Sequence, residues 1–300
     1  MPSSTGYGDG DNVIFEVGRR YRDRLIRTFR SSCKPYPAPS LHPSRPSYDK
    51  LEDMIRDSMK PTGKDYRITR KKALARDGFR CMITGLFDVA SLGHNVELQH
   101  ENETLGGMPV AVETSHILNE STTQGVGTSE RRSVTHYAAG VMAILRQFGL
   151  GHLSLALEAI DGVHETWNLL SLQHDLHNKF DLLGLWFEST DEPNCYKVCF
   201  SDVTIGRFIR RNSILPETSG PDASMLVKFS PNCEGAPPPD PQLLALHATC
   251  ARVAHMSGAA EFLDELERKA EETNVLAFDG SSAYLLSSLM SPYAVIHGVA

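Results

Sequence analysis

The 300-residue sequence has no hydrophobic run that approaches the roughly 20 apolar residues needed to span a bilayer. Its first residues lack both the basic segment and the apolar segment of a secretory signal peptide. Its six cysteines lack the dense, regular spacing that is typical of a disulfide framework. We therefore expect an intracellular protein, cytoplasmic or nuclear, with reduced cysteines and no membrane partner.

The sequence also has no excess of basic residues. It contains 30 Lys and Arg and 37 Asp and Glu, which gives a formal charge of −7. Any contact with nucleic acid must therefore be local. One basic stretch exists: residues 60–80 hold eight basic and two acidic residues. It is either a solvated helix face or a surface that contacts phosphates. The candidate nucleic-acid-binding residues are Arg70, Lys71, Lys72, Arg76 and Arg80.

Proline-rich stretches suggest where the chain divides. Residues 31–48 contain five prolines and predict a linker, and 235–241 contain four and predict a second break. The resulting division is an N-terminal segment with a linker (1–48), a basic helical lead-in (49–79), a core with an inserted helix (80–205), a loop-rich connection (206–241) and a C-terminal helical segment (242–300).

Hydrophobic periodicity predicts an α+β protein. Apolar residues at helical spacing favour helices near 47–60, 134–148 and 173–183, and two beyond 242. Short apolar or alternating runs favour strands at 80–85, 110–118 and 167–172, and a hairpin of 185–188 with 196–200. Residues 13–29 are predicted to pack as a strand and a helix, or to remain loose.

The residues with the clearest chemistry lie on the predicted helix at 173–183. His174, His177 and Asp181 fall on one stripe, beside an apolar stripe. An imidazole and a carboxylate four residues apart can reach one cation together, which is half of a metal site. Taken alone, such a pair is more often a surface hydrogen bond than a metal site.

Four segments in this order resemble the HNH endonuclease family, in particular the variant found within larger fungal proteins. They are Cys81-Met-Ile-Thr-Gly85, Ser115-His116-Ile117, Asn168-Leu-Leu-Ser-Leu and His177-Asn-Lys-Phe-Asp181. The resemblance implies a ββα-metal core, also called a His-Me finger, in which a β-hairpin and a helix grip one divalent metal. It covers about 80–190, with helices wrapped around it at both ends, and the flanks also look like such proteins.

The resemblance also implies roles. His116 looks like the general base that activates water against a phosphodiester of DNA, and Asn168 like the residue whose amide fixes the loop carrying the base. His177 and Asp181 look like metal ligands, with His174 as a candidate third, and Cys81 and Gly85 look structural. Such a ligand set would bind weakly until a substrate phosphate completes it, which favours Mg²⁺ over Mn²⁺, Ni²⁺ or Zn²⁺.

Departures from the family pattern leave alternatives open. Ser115 stands where many active relatives carry an acidic or histidine ligand, so an inactive HNH-fold module that binds nucleic acid or protein is the second hypothesis. Thr84 stands where a partner for Cys81 would be, so no zinc knuckle is expected. Thiol hydrolysis by Cys81, His116 and Asn168 is the third hypothesis, although a predicted strand does not stabilise a thiolate.

Overall fold

The computed structural model describes residues 9–30, 47–60, 66–119, 132–158, 162–215, 225–231 and 233–272. Most of the predicted linker and residues 273–300 of the predicted C-terminal segment lie outside these ranges. The described residues form an α+β protein with two small antiparallel sheets, as the periodicity predicts. No helix among them is both long and apolar enough to cross a membrane.

Eleven α-helices occur in the described residues. In chain order they are α1 (Asp9–Arg20), α2 (Leu51–Ser58), α3 (Tyr66–Arg76), α4 (Val89–Leu92), α5 (Val96–Leu105), α6 (Arg132–Gln147), α7 (Gly151–Glu158), α8 (His174–Asp181), α9 (Val203–Asn212), α10 (Pro241–Ser257) and α11 (Ala259–Glu272). The strands are β1 (Val112–His116), β2 (Leu169–Gln173), β3 (Leu185–Ser189), β4 (Cys195–Phe200) and β5 (Leu226–Lys228).

β1 and β2 form the two-stranded sheet that positions the site. They pair antiparallel from Val112 opposite Gln173 to His116 opposite Leu169. Both strands are almost wholly buried, and α8 begins directly after β2 and packs on both strands. The inserted helix α6, with α7, occupies the long connection between the two strands, as the periodicity over 134–148 predicts.

The second sheet has the order β3-β4-β5, and α10 packs against β3. The predicted hairpin is therefore confirmed, with Leu185 opposite Phe200 at one end of the β3–β4 register. The helices predicted beyond residue 242 are α10 and α11. Asp240 caps α10 by accepting hydrogen bonds from the backbone of Gln242 and Leu243, and Gly258 ends the helix in the left-handed conformation at φ 73°.

The core continues beneath α8, where His247 of α10 is fully buried. Its ring stacks on Phe180 of α8 at a centroid distance of 3.9 Å and meets the edge of Phe29 at 5.5 Å. Its Nε2 lies 3.4 Å from the carbonyl oxygen of Phe180. These contacts fix the buried face of α8 and leave its other side to β1.

Two predicted strands are wrong. Residues 80–85 form a turn, in which Gly85 N–H donates to the carbonyl of Cys81 and Gly85 takes φ 73°. Only an isolated bridge from Arg80 to Phe87 remains of the strand. The short apolar run is buried because it lines the core, not because it pairs in a sheet. The N-terminal segment is helical: α1 continues into a π-helical turn and a 3-10 turn that ends at Phe29.

The predicted connection at 206–241 also differs. Its first boundary falls inside α9, whose N-cap Asp202 accepts a hydrogen bond from Thr204 N–H. β5 also lies within it and extends the second sheet. Residues 206–241 therefore contain most of α9 and the edge strand β5, which the proline-rich composition further along the chain did not predict.

Candidate functional site

The site forms where β1 faces α8. Side chains alternate between the two faces of a strand, so Glu113 and Ser115 share one face. The structure directs both to α8, where Glu113 meets His177 and the Ser115 hydroxyl donates to Asp181 Oδ1 at 3.1 Å. Ser115 on β1 and Asp181 at the end of α8 are therefore in direct contact, although 66 positions separate them in the chain.

His177 lies between two carboxylates. Its Nδ1 donates to Glu113 Oε2 at 2.7 Å, and its Nε2 lies 3.2 Å from Asp181 Oδ2. Burial disfavours the charged ring, but the hydrogen bonds with Asp181 and Glu113 outweigh burial and raise the pKa of His177 to about 9. The hydrogen bond from His177 in turn lowers the pKa of Glu113. The two carboxylates thus supply negative charge at a buried position.

The spacing of these donors suits a cation. Two ligands that each lie about 2.1 Å from a metal at right angles are about 3.0 Å apart, and His177 Nε2 and Asp181 Oδ2 are 3.2 Å apart. Glu113 on the opposite ring nitrogen matches the carboxylate that commonly orients a ligating histidine. The described residues contain no group of three His, Cys, Asp or Glu side chains arranged to hold an ion. Because its pKa is raised, the His177 ring is protonated at pH 7, so a cation would bind this pair only by displacing a proton.

His174 is brought to the same carboxylate. Its Nδ1 lies 3.0 Å from Glu113 Oε1, and its Nε2 lies 3.2 Å from the amide nitrogen of Asn178. The side chain is 60% exposed, whereas that of His177 is 6% exposed. In this arrangement His174 supports Glu113, and its role as a third ligand stays a prediction.

His116 is the last residue of β1 and is buried. Its Nε2 lies 3.1 Å from Nδ1 of His164, a residue that the sequence analysis did not select. Burial, and then electrostatic interaction with His164 and His177, lower the pKa of His116 to about 3. The ring of His116 is therefore neutral at pH 7. It is also close enough to His177 on α8 for the two rings to interact electrostatically.

Asn168 joins the two segments that carry these histidines. Its Oδ1 accepts from Leu118 N–H at 2.9 Å, and its Nδ2 donates to the carbonyls of Leu118 and Val163 at 3.0 and 2.8 Å. The first contacts hold the chain just after His116, and the last holds the turn that ends at His164. Asn168 therefore ties these two segments together, and the family role that the resemblance implies for it stays a prediction.

Cys81 and Gly85 have structural surroundings. Cys81 is 1% exposed and its backbone N–H donates to the carbonyl of Leu86. A β-carbon at Gly85 would lie 2.8 Å from the side chain of Leu215. Because the thiol is enclosed in the core, the geometry speaks against the thiol-hydrolysis hypothesis.

The predicted basic surface needs correction at Arg76, which is buried and cannot contact a phosphate. Its guanidinium is paired with Asp77, and it donates to the backbone carbonyls of Thr166, Leu169 and Pro237 at 2.6, 2.8 and 3.2 Å. It is therefore a clamp that holds the backbone on both sides of Asn168.

The other four residues of that surface differ in exposure. Arg70 donates to the carbonyl of Val112 at 2.8 Å, and Arg80 pairs with Glu101 and lies over the ring of Phe87. Lys71 is exposed and Lys72 half-buried. Helix periodicity in the sequence cannot tell the exposed basic residues from the buried ones, because burial depends on which segments pack on each side of α3.

Two residues of the site were missed by sequence reasoning. Glu113 lies two positions before Ser115, and period-2 alternation would have placed both on one face of the strand. His164 lies after the inserted helices, and no periodic pattern relates it to His116.

Comparison with known proteins gives no further assignment, because no family model, curated protein or solved structure matches this chain.

His116 and His247 are buried with neutral rings, so the free energy of unfolding should fall at acidic pH. Folding lowers the pKa of His116 and of His247, both mainly through burial, from 6.5 to about 3. Their contribution is present above pH 6.5 and is lost as the pH falls toward 3, because only the unfolded chain takes up these protons. Each should cost about 2 kcal/mol of unfolding free energy between pH 6.5 and 4.5.

Urea unfolding in EDTA across this pH range measures the effect. His247→Leu should remove about half of the loss, whereas replacement of the exposed His152 by glutamine should leave it unchanged. His177 does not cause this loss, because its raised pKa gives a contribution that is complete below pH 6.5 and disappears as the pH rises toward 9. A pH-independent stability in the wild type would contradict the prediction.

Proposed function

We propose that this protein is a divalent-metal-dependent endonuclease that hydrolyses phosphodiester bonds in DNA, with β1, β2 and α8 as a ββα-metal core of the HNH type. The observation that carries the proposal is the contact between strand and helix. Ser115 on β1 bonds Asp181 on α8, whose carboxylate lies 3.2 Å from His177, and the charge of His177 also contributes to the lowered pKa of His116, the residue that follows Ser115.

The residues divide the chemistry between them. His177 and Asp181 would hold the cation, and Glu113 would orient the ring of His177 through its other nitrogen. When bound, a divalent cation neutralises charge that develops on the phosphate and the leaving oxygen. His116 would accept the proton of the attacking water; its ring is neutral at pH 7, although the lowered pKa makes it a weaker base than a free imidazole. Asn168 and His164 would keep the base in place.

Mg²⁺ suits this donor set best among the cations considered. One nitrogen and one carboxylate oxygen leave most of the coordination shell to water and substrate, as is common for Mg²⁺ at phosphates. A closed structural zinc site would instead need four protein ligands. Mn²⁺, Ni²⁺ and Zn²⁺ belong in the assay because imidazole is a good ligand for each of them.

A plasmid-nicking assay tests the proposal. Wild-type protein should convert supercoiled DNA to the nicked form with Mg²⁺ or another cation of the panel, and EDTA should abolish the conversion. His177→Ala and Asp181→Asn should reduce nicking to background and weaken metal binding in calorimetry by at least roughly 10-fold. Asp175→Asn is the matched control, because Asp175 is an exposed acid on the same helix, and it should leave both measurements unchanged.

Absence of nicking by the wild type with every cation would contradict the proposal. It would favour the second candidate, an inactive module of the same fold that binds nucleic acid or protein. Ser115 supports this candidate, because its hydroxyl occupies an oxygen of Asp181 from a position where a metal ligand would stand in an active relative. Metal binding that does not depend on Asp181 would favour it further.

A further inference from the structure

Three arginines form an exposed basic face on α9. Arg207, Arg210 and Arg211 are spaced i, i+3 and i+4, which places them on one side of the helix, and all three are exposed. None of them forms an ion pair with another residue that the structure describes. This face lies outside the 60–80 stretch that the sequence analysis selected.

The opposite face of α9 is firmly packed. Ile205, Gly206 and Ile209 are buried, and a β-carbon at Gly206 would lie only 2.1 Å from the ring of Phe200. A glycine is required there because the helix lies directly on that ring. The arginines are therefore presented by a fixed helix and not by a loose loop.

Both ends of α9 are attached beside α8. At its N-terminal end, Ser201 N–H donates to the carbonyl of Gly184, just after α8 ends. At its C-terminal end, Ile214 N–H donates to the carbonyl of Thr84, whose hydroxyl donates to Gln173, the N-cap residue of α8. The ends of α9 are therefore attached to segments that flank α8, while α9 itself packs on β4.

The charge around this face is mainly positive. Lys179 of α8 is exposed; hydrogen bonds with Thr204, and to a smaller extent the charges of Lys179 and Arg207, lower the pKa of Asp202. Asp202 is engaged as the N-cap of α9. The exposed acid on α8 is Asp175, in the first turn of that helix.

We infer that the Arg207–Arg210–Arg211 face of α9 binds the phosphate backbone of the nucleic acid that enters the site on α8. Arginine donors suit phosphate oxygens, and several of them along one helix can follow a backbone without reading bases. The inference rests on the proposed function for the choice of polyanion. An anionic membrane is the other surface that arginines attract, but the ends of α9 are bonded to segments that flank α8, which carries the proposed site, and the chain as a whole is acidic.

Fluorescence anisotropy with a labelled DNA duplex of about 20 base pairs in EDTA tests the inference without cleavage. The triple variant Arg207→Gln, Arg210→Gln, Arg211→Gln should weaken binding by roughly 30-fold and reduce the slope of log K against log salt by about 3. The triple lysine variant keeps the charge and should retain most of the affinity. Circular dichroism checks that α9 still forms in each variant.

The control removes the same total charge elsewhere. Arg19→Gln, Arg20→Gln and Arg268→Gln alter exposed arginines of α1 and α11 and should change the affinity less than about 3-fold. Equal losses in the control and the α9 variant would overturn the inference, as would a loss confined to Lys71→Gln with Lys72→Gln. Binding to vesicles with 30% phosphatidylserine but not to DNA would also overturn it.

These results are separable from the nicking assay. Wild type that binds DNA through α9 but nicks with no cation would keep this inference and remove the endonuclease proposal. If the wild type nicks DNA and the α9 variant binds and nicks DNA normally, the endonuclease proposal is kept and this inference is removed.

Discussion

Replacement of His116 by alanine should lower the rate of plasmid nicking by roughly 10²- to 10⁴-fold, the range that a positioned general base contributes. The reason is that this ring is buried at the end of β1, next to the residue that bonds Asp181, and is neutral at pH 7 because burial lowers its pKa to about 3. Single-turnover rates at saturating cation measure the loss.

Metal binding distinguishes this role from a structural one. Calorimetry should give the same metal affinity for His116→Ala as for the wild type, since the donors are on α8. The exposed His152→Ala is a control for removal of a histidine and should nick normally. Nicking by His116→Ala within about 3-fold of the wild type would exclude His116 as the base.

His164 should act on the rate through His116. Its ring nitrogen lies 3.1 Å from that of His116, so His164→Ala removes the contact that fixes the tautomer and orientation of the base. His164→Asn keeps a hydrogen-bonding group and should recover part of the rate. A positioning role predicts a fall in kcat with little change in KM, whereas loss of a substrate contact would mainly raise KM.

Replacement of Arg76 by methionine should lower the unfolding free energy by about 3–5 kcal/mol, as expected when one partner of a buried ion pair is removed. The side chains of Arg76 and Asp77 are 1% and 5% exposed, so the carboxylate of Asp77 would be left without its partner in the core. Three backbone carbonyls would also lose a donor. Urea unfolding near pH 7 measures the change.

A double variant identifies the cause. Arg76→Met with Asp77→Asn should be less destabilised than Arg76→Met alone, because the uncompensated carboxylate is removed. The exposed pair of Arg56 and Asp53 provides the comparison, and Arg56→Gln should change stability by less than about 1 kcal/mol. A loss of that small size for Arg76→Met would show that the clamp is unimportant.

Much of the fold could be predicted from local patterns. Helical spacing located α6, α8, α10 and α11, and alternating runs located β1, β2 and the β3–β4 hairpin, because these elements bury one regular face. The same reasoning was wrong for residues 80–85, where an apolar run enters the core as a turn. It was also wrong for Arg76, because a basic residue on a helix is exposed only if nothing packs over it.

The candidate site was only partly open to prediction. Helix geometry alone brings His177 and Asp181 together, since four residues make about one turn. Glu113 could not be assigned a partner, because its contact with His177 joins a strand to a helix 64 residues away. His164 contacts His116 because the chain returns to β1 after the inserted helices, and Asn168 holds both segments.

The amino-acid sequence by itself determined the periodic elements of this protein and the pairing of an imidazole with a carboxylate on one helix. Both depend on backbone geometry over a few residues. Tertiary structure decided that Ser115 meets Asp181, that Arg76 is enclosed and that the arginines of α9 are exposed. Such contacts depend on how distant segments pack, and packing is a property of the whole core.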